Sequence, residues 1–149
     1  MPVHMSYLLL AVAVGAGVAV QSGVNAQLRL YLGYPAFAAL TNFVVGTLAL
    51  LVFLLAIREP WPTLGAMKTA PAWTWIGGLL GAFYVASTII VAPKMGAASM
   101  FALVIAGQVG MSLLLDHFGW IGFTAHPINL WRVVGALFLV VGVVLVVRN

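Results

Sequence analysis

A polar stretch, VQSGVNAQLR, closes an otherwise apolar segment near the N-terminus and is the first candidate for chemistry. On an α-helix Gln21 and Asn25 lie one turn apart, while Arg29 and Ser22 point within about 100° of Gln21. Gln27 points elsewhere, at about 240°. With the helix centred near residue 17 or 18, Gln21 lies about 5 Å and Asn25 about 11 Å from its midpoint. Both amides therefore need partners, because an unpaired amide in hydrocarbon is costly.

A matching stripe occurs further along the chain, where Gln108, Ser112 and Asp116 are spaced i, i+4 and i+8. Gln108 falls close to the middle of its apolar segment, and the flanking Gly107 and Gly110 permit close approach of a backbone or a ligand. Two such stripes predict a shared polar cavity that binds a small polar solute. The competing interpretation is that the amides only join helices, as interhelical hydrogen bonds in membranes commonly do.

Other polar side chains in the apolar segments complete the candidate site. Asn42 and Tyr84 are expected to shape or gate the cavity, and Arg29 and Asp116 are expected to set the charge preference at its mouths. The residues predicted to bind the solute are Gln21, Asn25, Asn42, Tyr84, Gln108 and Ser112.

The two acidic residues of the chain both lie near the ends of apolar segments. Glu59 is in a loop beside Arg58, and Asp116 ends its segment beside His117. Proton-coupled exporters rely on a carboxylate inside the membrane that binds either a proton or a cation. The sequence therefore favours a neutral or zwitterionic substrate, or movement without proton coupling.

The composition places the chain in a membrane. Of its 149 residues 64% are hydrophobic and 5% are charged, and the mean hydropathy is +1.19. Soluble domains carry about 25% charged residues. The net charge of +4 comes from scattered single cations, which does not indicate a nucleic-acid partner. We find no cysteine, metal-ligand spacing, nucleotide loop or nucleophile motif, so the sequence predicts no cofactor, no metal site and no enzyme.

The apolar runs predict an all-α integral membrane protein with five transmembrane helices. A span requires roughly 20 mostly apolar residues. The predicted helices cover about residues 7–28, 35–57, 72–91, 97–115 and 130–147, and together they form a single membrane domain over residues 1–149. An odd number of spans puts the two termini on opposite sides of the bilayer.

The loop cations show no bias between the two sides. Three lie on the N-terminal side, namely Arg58, Lys68 and Arg132, and three on the other, namely Arg29, Lys94 and Arg148. Because Lys and Arg in short loops set orientation, a balanced count predicts dual topology, with copies inserted both ways and paired antiparallel. The alternative is a single orientation set by something other than these charges.

Several segments together resemble the YdcZ-like family of small membrane proteins in the drug/metabolite transporter superfamily. They are QSGVNAQLR, GYPAFAAL, NFVVGTLALL, WTWIGGLLGAFYV, APKMGAA and GQVGMSLLLDHFGW, the last being the most specific. The resemblance covers nearly the whole chain. It implies a five-span protein of the bacterial inner membrane that acts as an antiparallel homodimer of ten helices and exports a solute. The related small multidrug resistance transporters use a glutamate in the first helix, where this chain has Gln21 and Asn25.

The preferred hypothesis is a secondary-type transporter that moves a small polar metabolite by alternating access across an antiparallel homodimer. Its expected partners are the lipid bilayer, a second copy of itself and the solute, and no nucleic acid. Sites of inverted-repeat transporters lie near the bilayer midplane, as the amides here do. Two alternatives stay open: a passive ion channel formed by an antiparallel dimer, and a structural or accessory membrane protein.

Overall fold

The computed structural model describes residues 4–149, and within that range the chain is helical, without strands. The helices are α1 (Met5–Leu32), α2 (Pro35–Ile57), α3 (Leu64–Thr69), α4 (Ile76–Met95), α5 (Ala97–Phe118) and α6 (Leu130–Arg148), with 3-10 turns at Ala72–Trp75 and Trp120–Gly122. All except the short α3 belong to segments that are long and apolar enough to cross a membrane. The predicted all-α membrane fold with five spanning helices is confirmed.

Glycine and proline set the boundary between α1 and α2. Gly33 adopts a left-handed conformation with φ 79°, and its N–H donates to the carbonyl of Arg29 at 2.9 Å. Such a cap favours glycine, which has no Cβ to clash. Pro35 then opens α2, where its missing N–H is not needed. The polar stretch thus stays helical throughout, and α1 continues past the predicted boundary at Leu28.

The chain divides into two compact units, the first ending at Lys94 and the second beginning at Met95. In the first unit α1 packs against α2, and a buried cluster joins α2 to α4. The cluster consists of Ala38, Ala39, Val85 and Ile89. The two alanines are in the first turns of α2, where small side chains allow helices to approach closely. Packing is therefore tightest where α1 ends and α2 begins, and most apolar side chains elsewhere on α1 and α2 are exposed for contact with lipid.

The second unit is a hairpin in which α5 packs against α6. Met100 on α5 and Val143 on α6 are its buried apolar residues. Gly119 ends α5 in a left-handed conformation with φ 62°. Asn129 begins α6, and its side chain accepts a hydrogen bond from the backbone N–H of Arg132 at 3.0 Å. These caps fix the loop between the two helices.

Candidate functional site

A pair of amides connects α1 and α2 inside the apolar part of the first unit. Gln21 Nε2 donates to Asn42 Oδ1 at 3.1 Å. Counting from the helix midpoints at 1.5 Å per residue, each amide lies roughly 4 to 6 Å from the centre of its helix, toward the end where α1 and α2 meet. The need of Gln21 for a partner in hydrocarbon is thus met in part by Asn42.

An open groove runs along the first unit beside this pair. It is lined by Gln21 together with one face of α2, including Asn42, Phe43, Gly46 and Leu50. The Gln21 side chain is exposed and that of Asn42 is half-buried, so the two amides are accessible from the groove. A methyl group at Gly46 would meet no atom within 4 Å, so the glycine leaves the groove wall open. The groove therefore has mainly apolar walls, with the Gln21–Asn42 pair at one edge and Thr47 as a further polar side chain in its lining.

Two more polar residues of α1 face inward. Ser22 is 3% exposed and Asn25 is 4% exposed, whereas Gln21 is exposed. The Ser22 hydroxyl has no hydrogen-bond partner among the described residues. Although Gln21 and Asn25 are a turn apart on one stripe, the structure puts Asn25 in the packed interior and Gln21 at the groove.

Arg29 is bonded to the backbone of α4. Its Nη1 donates to the carbonyl oxygen of Ile89 at 3.4 Å. Pro93 lies inside α4, four residues after Ile89, and has no N–H to donate to that carbonyl. Arg29 thus supplies a donor to a carbonyl that the helix leaves unpaired. Arg29 is half-buried, and residues Arg29, Gly33 and Pro35 also line a shallow depression at the surface.

Tyr84 lies on α4, where its half-buried side chain packs against the cluster of Ala38, Ala39, Val85 and Ile89. One turn later, the hydroxyl of Thr88 donates to the carbonyl of Val85 in its own helix at 2.9 Å. That bond satisfies the buried Thr88 without a partner from another helix.

Gln108 and Ser112 lie on α5 in the second unit, and both side chains are exposed there. A methyl group at Gly107 or Gly110 would meet no atom within 4 Å. At about 100° per residue, Gly107 lies about 100° and Gly110 about 160° around α5 from Gln108, so the glycines are on a different side of the helix from this exposed amide. In hydrocarbon such an amide requires a polar partner or a polar ligand.

Asp116 lies in the last turn of α5, where it is tied to the loop and to α6. Arg132 Nη1 donates to Asp116 Oδ2 and to the carbonyl of His126, both at 3.1 Å. The backbone N–H of His126 donates to the carbonyl of Asp116 at 2.7 Å, and that of Ile128 donates to His117 Nδ1 at 3.1 Å. The carboxylate is therefore part of a hydrogen-bonded link that closes the α5–α6 hairpin.

The sequence pattern does not predict the hydrogen bonds between Gln21 and Asn42 or between Arg29 and Ile89. It also identifies Arg132 only as a loop cation and gives His117 no structural role. The position of Pro93 four residues after Ile89 does signal an unpaired carbonyl. Which donor reaches that carbonyl depends on helix packing, and the sequence pattern alone does not specify it.

Comparison with known proteins relates this chain to a family of membrane proteins. The model of the family described as "Putative inner membrane exporter, YdcZ" matches residues 6–145. "Inner membrane protein YdcZ" from Escherichia coli (strain K12) is 32% identical over 143 residues, which cover 95% of each chain. No solved structure matches this chain. With its five apolar helices, the chain is a multi-pass protein of the inner membrane.

Proposed function

Because the chain belongs to the YdcZ family of inner membrane exporters, we propose that it is a secondary-type transporter for a small, neutral polar metabolite. The observation that carries the proposal is the Gln21–Asn42 pair at the side of an open groove. Amides hold no net charge, so they bind polar groups by hydrogen bonds without attracting ions. Their depth, near the middle of α1 and α2, corresponds to the level at which inverted-repeat transporters hold their substrates.

We propose further that two copies, inserted in opposite directions, form the transporting unit of ten helices. The balanced loop cations, three on each side, support insertion both ways. The exposed Gln108 and Ser112, one turn apart on α5, support a role at a cavity shared by the two copies. A two-fold axis in the membrane plane makes inward-open and outward-open states equivalent, so alternating access needs no second gene product.

The other candidate residues have supporting roles in this proposal. Asn25 is buried in the first unit and the half-buried Tyr84 packs against its apolar cluster, so both are assigned to the packing of this unit. Arg29 fixes α4 through Ile89, and Asp116 fixes the α5–α6 hairpin through Arg132. Because both charged groups are engaged in such contacts, neither is assigned to proton coupling. The transporter therefore works as a uniporter or an exchanger of neutral solute.

Purified protein in liposomes tests this function. The probes are radiolabelled glycine, erythritol and malonamide, which cover zwitterionic, polyol and amide chemistry. We expect saturable flux of a neutral probe. The flux should rise when unlabelled probe is present on the opposite side, because in an alternating-access transporter the loaded binding site returns across the membrane faster than the empty one. Collapsing an imposed pH gradient should leave the flux unchanged.

Two results would contradict the proposal. Flux of every probe equal to that of protein-free liposomes would remove the transport function. Discrete ionic conductance steps in a planar bilayer, without stimulation from the opposite side, would indicate a channel instead.

A further inference from the structure

The Gln21–Asn42 pair makes only one of the two hydrogen bonds that two amides can share. Gln21 Nε2 donates to Asn42 Oδ1 at 3.1 Å, and the structure shows no return bond. Each carboxamide has one acceptor oxygen and two N–H donors. Among the described residues the pair therefore retains the acceptor Gln21 Oε1 and the N–H donors of Asn42 Nδ2 on neighbouring helices. If both amides were turned over, one oxygen and one NH₂ group would again be left.

These free groups lie beside a groove whose walls are mainly apolar. Its lining includes Phe43 and Leu50, with Thr47 as a further polar side chain, and the pair lies roughly 4 to 6 Å from the midpoints of its helices. A donor and an acceptor in such surroundings are costly to leave unpaired. A ligand that pairs both at once gains the most from this position.

We propose that the Gln21–Asn42 pair is the substrate-selecting edge of the transporter, and that it binds neutral planar groups that carry a donor and an acceptor side by side. Primary carboxamides, ureas and lactams are the groups of this kind. The inference rests on the proposed transport function and adds the substrate class to it. The open wall at Gly46 leaves room for the ligand next to the pair.

The same edge discriminates against other small polar solutes. A carboxylate offers only acceptors, so it leaves Gln21 Oε1 facing another oxygen. An amidinium offers only donors, so it leaves Asn42 Nδ2 facing another N–H. A polyol has no fixed plane that presents both groups at once. Sites built around hydrogen bonds reject analogues that leave their polar groups unpaired.

Flux into liposomes containing the full chain measures this preference directly. Malonamide supplies the amide edge, and erythritol is a neutral, membrane-impermeant solute without one. We expect malonamide flux to exceed erythritol flux by about tenfold or more, the ratio that one well-formed hydrogen bond supports.

Two substitutions should remove the preference, and a third on the same helix should not. Gln21→Leu and Asn42→Leu each remove half of the edge, so malonamide flux should fall about tenfold in both. Gln27→Leu removes an exposed amide that lies outside the groove lining and should leave the flux unchanged. Thermal midpoints and elution profiles in detergent identify any variant that fails to fold. Malonamide binding to folded variants in nanodiscs provides a second readout.

Gln21→Glu keeps the size of the side chain but changes its hydrogen bonding. The introduced carboxylate can only accept, so it should draw the Asn42 amide N–H₂ toward itself and leave two acceptors in the groove. The variant should then favour the amidinium counterpart of malonamide over malonamide itself. This inversion of preference is not expected from a loss of stability.

The outcomes separate this inference from the transport function. Flux of no probe at all would overturn the transport function and this inference with it. Equal flux of malonamide and erythritol through the wild-type protein would overturn the inference alone. So would equal effects of Gln21→Leu and Gln27→Leu, or an unchanged preference in Gln21→Glu.

Discussion

Arg29 on α1 donates a hydrogen bond to the carbonyl of Ile89 on α4, the carbonyl that Pro93 deprives of its helical donor. The side chain therefore completes the hydrogen bonding of a neighbouring helix where that helix cannot do so itself. A cation at the end of a transmembrane helix is usually explained by its attraction to lipid headgroups. Here it also joins two helices of the first unit.

The contact between Arg29 and Ile89 should matter only while Pro93 is present. Arg29→Gln should lower the stability of the wild-type protein by about 1 kcal/mol, the usual value of one hydrogen bond. Pro93→Ala restores an N–H that can reach the Ile89 carbonyl, so the same Arg29 substitution should then cost much less. Unfolding in lipid bicelles measures both differences. Equal losses in the two backgrounds would show that Arg29 acts elsewhere.

The unpaired hydroxyl of Ser22 should be dispensable for stability. It is 3% exposed and has no hydrogen-bond partner among the described residues, so Ser22→Ala removes a polar atom that nothing satisfies. We expect an unchanged or slightly raised thermal midpoint. Thr88 is also buried, and Thr88→Val removes a hydroxyl that is bonded to Val85, so this variant serves as the matched comparison. A larger loss for Ser22→Ala than for Thr88→Val would indicate a ligand or water at Ser22.

The link between Asp116 and Arg132 should be structural and not part of proton coupling. Both side chains are 32% exposed, so solvent screens the pair and Asp116→Asn should cost less than about 1 kcal/mol. Arg132→Gln should cost more, because Arg132 also donates to His126. Flux measured with and without a pH gradient should be the same for Asp116→Asn and the wild-type protein. Loss of all flux in a stably folded Asp116→Asn variant would instead make the carboxylate a coupling site.

The helices could be predicted from the sequence, but the environment of each polar residue could not. Apolar runs of sufficient length fix where helices form, and the five spans follow from them. The helical projection puts Gln21, Asn25 and Ser22 within about 100° of one another. The projection does not indicate which of these side chains on α1 a neighbouring helix covers. In the structure the covered part includes Ser22 and Asn25 and leaves Gln21 at the groove.

The Gln21–Asn42 bond was not predicted for the same reason. The sequence identifies both residues as candidates and predicts that Gln21 needs a partner in hydrocarbon. The bond depends on the axial offset between α1 and α2, and the short turn at Gly33 and Pro35 sets this offset. The axial offset results from the packing of the two helices, and the spacing of residues within either helix alone does not determine it.

An unequal number of loop cations on the two sides of the membrane should favour one orientation of insertion and reduce transport. Glu59→Lys places a fourth Lys or Arg on the N-terminal side against three on the other. More copies should then insert with the N-terminus in the cytoplasm, and flux per molecule should fall because fewer antiparallel pairs form. Glu59→Gln removes the same acid without adding a cation and should leave both unchanged. Identical flux in the two variants, despite a shifted orientation, would speak against the antiparallel pair.

The orientation of single copies in the inner membrane tests the two-copy account most directly. Because the chain has no cysteine, Asn149→Cys and His4→Cys each introduce a single thiol, one near each terminus. A membrane-impermeant maleimide applied to intact spheroplasts should label about half of the molecules in each variant, since balanced charges permit insertion both ways. Complete labelling of one variant and none of the other would show a single orientation and contradict the antiparallel transporter.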